Sequence, residues 1–334
     1  MKRLVILSPN WLGDAVMALP AIADVRRAVP GVSIAIAARP AIAPLFRLVP
    51  EVDETVMLPK PPAIGGVTRW RAIGAELTGR GFDAALLFPN SMHASLIALR
   101  AGIRERWGYR AGWRGRLLTR PIARPSGFHQ VAFYQHLVAA LGFPNGPSEP
   151  RVRVPQEAKD EAVRLLTAGG WDGRSPLVAL APGAAYGGAK RWPPSYFGEL
   201  ASVLAADGVR CVMVGSAADA ATAAEVARAS GAAALLDLVG RTDLSTLAGV
   251  LTMCRTLVTN DSGAMHLAAA AGVPVTAVFG PTDETATRPL GDAHAILTNP
   301  VWCRPCMLRE CPIDHRCMRG VGVGAVLASA RRVL

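Results

Sequence analysis

Short apolar runs of strand length alternate with helical patterns along the whole chain. Continuous apolar runs are typical of strands that are covered on both faces in a parallel sheet. In the first half the runs predict strands at residues 4–8, 33–37, 55–58 and 84–88. In the second half they predict strands at residues 177–181, 210–214, 234–238, 256–259 and 275–279.

Helical patterns separate these runs, among them residues 14–29, 129–141 and a closing helix at 323–334. Residues 144–150 are rich in proline and glycine and predict a linker. The 334 residues are enough for two domains, which we place at 1–150 and 151–334. The closing helix is able to pack on either domain. We therefore predict an α/β fold of two doubly wound, Rossmann-like domains whose parallel sheets face a cleft.

The chain is strongly basic, with a formal net charge of +11. Its 36 basic residues include only four lysines, which leaves 36 − 4 = 32 arginines. Such a charge suits an anionic partner: nucleic acid, phosphorylated sugars or an anionic membrane surface. The apolar stretch at 264–279 is interrupted by His266 and Pro274, so it predicts a helix, a turn and a strand rather than a membrane span. We expect a cytoplasmic protein, because Pro9 and Asp14 interrupt the apolar start of the chain.

The loop at residues 181–193 follows the first predicted strand of the second half and contains three glycines with Lys190 and Arg191. Glycines expose backbone N–H groups, and the two cations add charge, so the loop suits a diphosphate. It is not a Walker A loop, because Lys190 comes one residue too late after Gly188 and no Ser or Thr follows. Hydrolysis of a nucleoside triphosphate at a P-loop metal site is therefore disfavoured. The alternative is a plain surface loop.

The turn at residues 259–266 joins a predicted strand to an alanine-rich helix. Asp261 and Ser262 are types that cap helices, and Gly263 allows a ligand close to the backbone. A helix N-terminus suits a phosphate, and His266 is close enough to reach one. The alternative is an ordinary capped helix with a packed histidine. The strand-end loops at 215–219, 239–242 and 280–283 add polar groups, so together these loops favour a nucleotide pocket.

In the first half, residues 8–14 follow the first strand and place Asp14 where a helix begins. A carboxylate at this position is suited to act as general base on a sugar hydroxyl. Alternatively, Asp14 only complements the helix dipole.

Eight arginines lie between residues 100 and 124, opposed only by Glu105. A solvated basic face is the usual reason for such a run, and docking of an anionic acceptor is the functional alternative. Aromatic residues Trp107, Tyr109 and Trp113 are interleaved, which leaves a nucleic-acid surface open, although no nucleic-acid motif supports it.

Four of the six cysteines, Cys303, Cys306, Cys311 and Cys317, lie close together in sequence and the other two sit in apolar runs. The spacing only approximates that of a structural zinc site, and a reduced or redox-sensitive loop is the plainer interpretation. Cys211 and Cys254 are expected to be buried small apolar side chains.

Taken together, these segments resemble the family 9 glycosyltransferases. The motifs run in the family's order from residue 8 to residue 318, so the resemblance covers nearly the whole chain. It rests on residues 9–14, 182–184, 189–193, 215–216 with Asp219, and 259–263 with Met265 and His266, and also on residues 89–91, 280–282 and 311–318.

The resemblance implies a GT-B fold with an acceptor-binding first domain and a donor-binding second domain. It implies inverting transfer of a heptose from ADP-heptose to the lipopolysaccharide inner core, with no catalytic metal or other cofactor. The partners would be that donor, the anionic acceptor and the inner-membrane surface, and not nucleic acid. The enzyme would lie peripherally on the cytoplasmic face of the inner membrane.

By the same resemblance, Asp14 is the general base and Lys190 stabilises the leaving diphosphate. The implied donor-binding residues are Gly183, Lys190, Arg191, Ser216, Asp219, Thr242, Asn260, Asp261, Ser262, Gly263, Met265 and His266. The implied acceptor-binding residues are Asn10, Trp11, Asn90, Ser91, Arg106 and Arg110.

Other classes fit the pattern less completely. An NAD-dependent oxidoreductase needs G-x-G-x-x-G after the first strand, where residues 8–14 contain only Gly13. A nucleotide-sugar epimerase shares the two-domain layout and would form product from the donor alone. A different nucleotide-sugar transferase also fits, and a non-catalytic sugar- or nucleic-acid-binding protein would tolerate the loss of Asp14.

Overall fold

Two sheets of six parallel strands form the framework of the protein. The computed structural model describes residues 1–59, 73–231 and 235–334. The start of the predicted strand 234–238 therefore lies outside the described residues, and its remainder is observed as Leu235–Asp237. The chain divides into two units, Met1–Arg153 and Val154–Leu334, each of which contains one of the sheets.

The first unit has strand order β3-β2-β1-β4-β5-β6. The residues of β1, β2 and β4 are almost all inaccessible to solvent, as expected for strands covered on both faces. The strands are β1 Arg3–Leu7, β2 Ser33–Ala38, β3 Glu54–Met57, β4 Ala84–Leu87, β5 Glu105–Tyr109 and β6 Arg120–Ile122.

The helix predicted at 14–29 is two helices, α1 Leu12–Met17 and α2 Leu19–Ala28. Pro20 has no N–H to donate, so it is accommodated in the first turn of a new helix rather than inside a continuous one. The earlier start places Asp14 within the first turn of α1. Two further α-helices whose bounds lie among the described residues of this unit are α3 Met92–Arg100 and α4 Gln130–Ala140.

The second unit has strand order β12-β11-β10-β7-β8-β9. Its strands are β7 Leu177–Ala181, β8 Arg210–Met213, β9 Leu235–Asp237, β10 Thr256–Asn260, β11 Val275–Phe279 and β12 Ala295–Thr298. Its helices are α5 Gln156–Ala168, α6 Pro194–Ala206, α7 Ala220–Ala229, α8 Leu244–Met253, α9 Gly263–Ala270, α10 Glu284–Thr287, α11 Arg316–Arg319 and α12 Val323–Arg331.

The closing helix α12 belongs to the second unit, because Val323, Val326 and Ala330 lie in the same buried cluster as the side chains of α6. The longest described helices, α5 and α6, have 13 residues each. In the described part of the chain no helix has both the length and the apolar character needed to cross a membrane.

Residues at the predicted linker are tied to the first unit. The buried Asp24 carboxylate accepts a hydrogen bond from the Gly146 backbone N–H at 3.0 Å and from Gln135 at 2.9 Å. Further on, the Arg153 N–H donates to the Leu48 carbonyl at 2.8 Å. The division between the units consequently falls after Arg153 rather than after Pro150.

Strands β5, β6 and β12 were absent from the sequence prediction. Strand β5 begins inside the arginine run with exposed Glu105, but Trp107, Gly108 and Tyr109 are buried. Charged neighbours interrupt the apolar pattern of β5, so the sequence did not predict this strand. Strand β12 is an edge strand whose residues are all only partly buried, so it has no strong apolar pattern.

Both sheets reverse their strand order once. The reversal lies between β1 and β4 in the first unit and between β7 and β10 in the second. In open parallel sheets the crevice outside the carboxyl ends of such neighbouring strands is the usual ligand site. We therefore expect ligand-binding residues in the loops after β1 and β4 and in those after β7 and β10.

Candidate active site

The loop after β7 and the turn after β10 meet at the reversal point of the second unit. Residues 182–191 follow β7, and a short 3₁₀ helix, Gly188–Lys190, carries the lysine. Asn260 ends β10, and Ser262 immediately precedes α9. These are the two segments in which the sequence predicted a phosphate site.

Asn260 holds the two segments together. Its amide nitrogen donates to the carbonyls of Pro182 at 2.8 Å and Gly183 at 3.2 Å, and its amide oxygen accepts from the Trp192 backbone N–H at 2.9 Å. The residue is completely inaccessible to solvent. Asn260, which we predicted to bind the donor, therefore fixes both ends of residues 182–191, here called the phosphate loop, with its side chain.

Lys190 and Asp261 form an ion pair across this junction. The distance from the Lys190 ammonium to the Asp261 carboxylate is 2.5 Å, and the two side chains are only 13% and 8% exposed. Thr282, at the end of the loop after β11, donates its hydroxyl to the same carboxylate oxygen at 2.7 Å. Lys190 also lies over the Tyr186 ring, 4.7 Å from its centroid. Asp261 and Tyr186 thus hold a cation beside the reversal point, and Thr282 supports Asp261 from the loop after β11.

The N-cap residue of α9, Ser262, makes no capping hydrogen bond with its side chain. The Ser262 hydroxyl is 3.0 Å from that of Thr259, and Asp261 is paired with Lys190. The alternative of an ordinary helix capped by these side chains is therefore wrong. Since no side-chain cap is found for α9 among the described residues, its first backbone N–H groups remain suited to an anion, as does the positive end of the helix dipole.

Asp219 lies against the phosphate loop. Its carboxylate accepts from the Ser216 N–H at 2.9 Å and the Ser216 hydroxyl at 2.8 Å, so it closes the turn after β8. A Cβ added at Gly183 would lie 2.2 Å from an Asp219 carboxylate oxygen. The absence of a side chain at Gly183 therefore lets the turns after β7 and β8 approach each other.

We expect Gly183→Ala to lower the free energy of unfolding by about 1–3 kcal/mol, because the new methyl group displaces the Asp219 carboxylate from Ser216. Chemical denaturation of the purified variant measures this change. Gly324→Ala is the matched control, since nothing lies within 4 Å of a Cβ there and the residue is inside α12. Equal stability of the two variants would contradict the packing argument.

The other predicted donor residues occupy varied environments. Thr242, on the loop after β9, and Arg191 and Gly263 are partly buried, whereas Met265 is completely buried and His266 is 5% exposed. Met265 is therefore able to offer a ligand only its backbone N–H. The Arg191 Nε is buried and has no hydrogen-bond partner among the described residues.

In the first unit, the loop after β1 leads directly into α1. Trp11 is 52% exposed and Asn10 is exposed, and both precede Asp14. Asp14 is partly buried and lies near the buried Tyr134 of α4. Burial raises the pKa of Tyr134, and the Asp14 carboxylate adds to the shift. A carboxylate thus lies at the reversal point of the first sheet, where a ligand would bind.

A cavity of about 230 Å³ opens at the carboxyl ends of β1, β2 and β4. Asn10 and Ser91, both predicted acceptor residues, are in its wall. Arg39 and His93 line it too, and neither was predicted from the sequence. Arg39 comes just after β2, so the rule that polar residues at strand ends bind ligands would have found it.

Asn90 is held by a buried arginine. Arg114, only 1% exposed, donates to the Asn90 side-chain oxygen at 3.1 Å, to Ser95 at 2.8 Å and to the Tyr109 carbonyl at 2.9 Å. Burial lowers the pKa of Arg114 to about 10. Arg114 therefore orders the loops after β4 and β5. Asn90 also borders a second, open depression of about 510 Å³ that contains Arg124.

The arginine run is not a single solvated face, which corrects the sequence interpretation. Arg114 is buried, and the Arg106 guanidinium donates to the carbonyls of Leu117 at 2.7 Å and Ile103 at 2.6 Å. Arg106 sits near the amino end of β5, whereas Arg110 follows its carboxyl end and is exposed. Of the interleaved aromatic residues, only Trp113 is exposed. These aromatic residues therefore do not form the exposed surface that nucleic acid would need.

Cys211 and Cys254 are buried, as the sequence predicted, and burial raises the pKa of the Cys211 thiol to about 12. Burial is also the main reason that the pKa of Cys317 is raised, with the nearby Cys303 thiol adding to it. Within residues 1–59, 73–231 and 235–334, no three His, Cys, Asp or Glu side chains are grouped so as to hold a metal ion.

Two doubly wound parallel sheets, each with polar loops at its reversal point, match the GT-B fold of glycosyltransferases. The predicted α/β fold with two parallel sheets is confirmed. A model of glycosyltransferase family 9 (heptosyltransferase) matches residues 70–316. The chain belongs to glycosyltransferase family 9 and is a glycosyltransferase.

Relatives with full-length similarity support this assignment. The chain is 30% identical over 308 residues to lipopolysaccharide heptosyltransferase 2 of Salmonella typhimurium, with 88% of this chain and 87% of the relative covered. It is 29% identical over 307 residues to the Escherichia coli protein of the same name, with the same coverage. The solved structure of E. coli ADP-heptose lps heptosyltransferase II matches with a TM-score of 0.84 and 28% identity, over 100% of this chain and 98% of that one.

Proposed function

We propose that this protein is a lipopolysaccharide heptosyltransferase of type II. It would transfer L-glycero-D-manno-heptose from ADP-heptose to the first heptose of the lipopolysaccharide inner core. The relatives named above support it, since two are named lipopolysaccharide heptosyltransferase 2 and the solved structure is an ADP-heptose lps heptosyltransferase II. The Trp11 form of the loop after β1 also favours type II over type I.

One observation carries the proposal for the donor side. The Lys190 ammonium lies at the reversal point of the second sheet, next to helix α9, whose N-cap residue Ser262 makes no side-chain capping bond. A lysine and a helix N-terminus together provide positive charge and N–H donors for a diphosphate. Thr242 and the turn closed by Ser216 and Asp219 lie at neighbouring strand ends, where the nucleoside would bind.

The proposed chemistry is an inverting displacement. The acceptor hydroxyl oxygen forms a bond to the anomeric carbon of heptose while the bond from that carbon to the ADP oxygen breaks. The proton of the hydroxyl passes to the Asp14 carboxylate, and the bonding electrons leave with ADP. Lys190 and the α9 N-terminus stabilise the charge that develops on the diphosphate.

The acceptor would bind the first unit. The cavity beside Asn10 and Ser91 contains Arg39 and His93, which suit the carboxylates and phosphates of an inner core. Arg110 is exposed just after the carboxyl end of β5, and the cavity also lies at the carboxyl ends of the strands of this sheet. The net charge of +11 would also attract the protein to the anionic cytoplasmic face of the inner membrane.

The test is transfer from purified ADP-heptose to heptose-deficient core lipopolysaccharide that carries only the first heptose, followed by mass spectrometry of the lipid. A mass gain of one heptose supports the proposal. A gain only on core that lacks the first heptose would instead indicate a type I enzyme. Product formed from the donor alone would indicate an epimerase, and no product with ADP still bound would require another sugar donor or acceptor.

We expect a chelator to leave the transfer rate unchanged. Lys190 and the helix N-terminus provide the positive charge that a divalent cation would otherwise supply to the leaving diphosphate. Initial rates with and without excess EDTA measure this. Strong inhibition that added magnesium reverses would contradict the metal-free mechanism.

A further inference from the structure

The segment at residues 304–310, here called the brace, lies within the cysteine-rich part of the chain and contacts two of the loops described above. It bonds to the turn after β11 and to the phosphate loop after β7. The brace is largely exposed, and the proposed mechanism assigns it no part.

The brace first holds the turn after β11. The Arg304 guanidinium donates to the Gly280 carbonyl at 2.8 Å and to the Thr282 carbonyl at 3.3 Å, and Met307 N–H donates to the Pro281 carbonyl at 2.9 Å. Three consecutive carbonyls of the turn are thus bonded to the brace. The Arg304 side chain is only 11% exposed and is paired with Glu284 at 2.6 Å.

This turn contacts Asp261, the ion-pair partner of Lys190. The buried Thr282 hydroxyl donates to the Asp261 carboxylate oxygen that binds the Lys190 ammonium. Holding the backbone of Thr282 therefore keeps its side chain where the hydroxyl reaches the carboxylate that orients the lysine.

The brace also holds the backbone around Lys190. The Arg309 carbonyl accepts from Ala189 N–H at 2.9 Å, and the Glu310 carboxylate accepts from Gly188 N–H at 2.9 Å. The Tyr186 hydroxyl, whose ring lies under the Lys190 ammonium, donates to the Met307 carbonyl at 2.7 Å. The 3₁₀ helix that carries Lys190 is therefore bonded to the brace directly.

We propose that Arg304 and Glu310 are positioning residues, which hold the Lys190 ammonium in the orientation needed for the leaving diphosphate. This inference rests on the proposed function of Lys190. Two separate connections converge on one lysine: Arg304 acts through Thr282 and Asp261, and Glu310 acts through the backbone of Gly188. Neither residue has to touch the substrate.

Kinetics of single and double variants test the proposal. Arg304→Ala is expected to lower kcat on the order of 10–100-fold with a smaller change in KM for the donor, since a misplaced charge costs transition-state stabilisation. In a Lys190→Ala background the same change should lower kcat by less than about twofold, because the group it positions is gone. An equal effect of Arg304→Ala in both backgrounds would overturn the proposal.

Glu310 provides a second test at an exposed site, which carries the proposal if Arg304→Ala fails to fold. Glu310→Gln keeps an oxygen that accepts from Gly188 and should retain near-normal kcat, whereas Glu310→Ala should lower it. Arg316→Ala is the matched control, because that guanidinium, in the same cysteine-rich part of the chain, pairs with Asp314. A loss in the control equal to that of the brace variants would refute a specific role.

Amide hydrogen exchange keeps this test separate from the proposed function. The Gly188 N–H should exchange faster in Glu310→Ala than in the unaltered protein or in Glu310→Gln. If the unaltered protein transfers no heptose but exchange changes in this way, the proposed function fails while the brace contact stands. Unchanged exchange in Glu310→Ala would overturn the brace contact itself.

Discussion

Asp14→Asn is expected to reduce heptose transfer by about 10²–10⁴-fold, while ADP binding remains close to that of the unaltered protein. The amide cannot take the proton from the acceptor hydroxyl, so the oxygen must attack without general-base assistance. The substitution preserves the size and most of the hydrogen-bonding capacity of the side chain, and Asp14 lies in the first unit, whereas the proposed ADP site is built from the second. Chemistry is therefore expected to fail without loss of the donor site.

Transfer rates and an ADP titration, run on the same preparations, measure the two parts of this expectation. Asp53→Asn is the matched control, since it also removes a carboxylate from the first unit. Asp53 precedes β3 at the amino ends of the strands, whereas Asp14 follows the carboxyl end of β1. Activity of Asp14→Asn equal to that of the control would rule out the general-base assignment.

Lys190→Ala is expected to lower kcat by about 10²–10³-fold, the usual cost of removing one group that stabilises developing charge. Two effects combine in this variant. The diphosphate loses a cation, and the buried Asp261 carboxylate loses the ammonium 2.5 Å away. The remaining negative charge would repel ADP, so weaker ADP binding should accompany the slower turnover.

A double variant separates these effects. Lys190→Ala combined with Asp261→Asn should recover part of the ADP affinity, because the unpaired charge is removed, but not the turnover. Lys159→Ala, which replaces a lysine on α5, is the control. Unchanged kcat in Lys190→Ala would place the lysine outside the site of chemistry.

Much of the fold was predictable because the signals are local. The nine predicted apolar runs correspond to observed strands, at least in the described part of the chain, since strands covered on both faces must be apolar over their whole length. The loops that carry Asp14, Lys190 and Asp261 were found by the same reasoning, because each follows such a strand. Strands β5 and β12 were missed because charged neighbours or an edge position removes the apolar pattern.

The motifs and their order were sufficient to identify the family from the sequence alone, and the family model confirms that identification. Only the tertiary structure decided which polar side chains form contacts with one another. Lys190 and Asp261 are 71 positions apart, and the Asn260 contact with Pro182 spans 78. No local pattern encodes such pairs.

The tertiary structure also determines which charged side chains are buried and which are exposed. Arg114 looked like its neighbours in the arginine run, yet it is buried and bonded to the loops after β4 and β5. Asp261 looked like a helix cap, yet it binds Lys190. Sequence determines which groups are available, whereas their partners depend on which strand ends the sheet brings together, and that is a property of the whole fold.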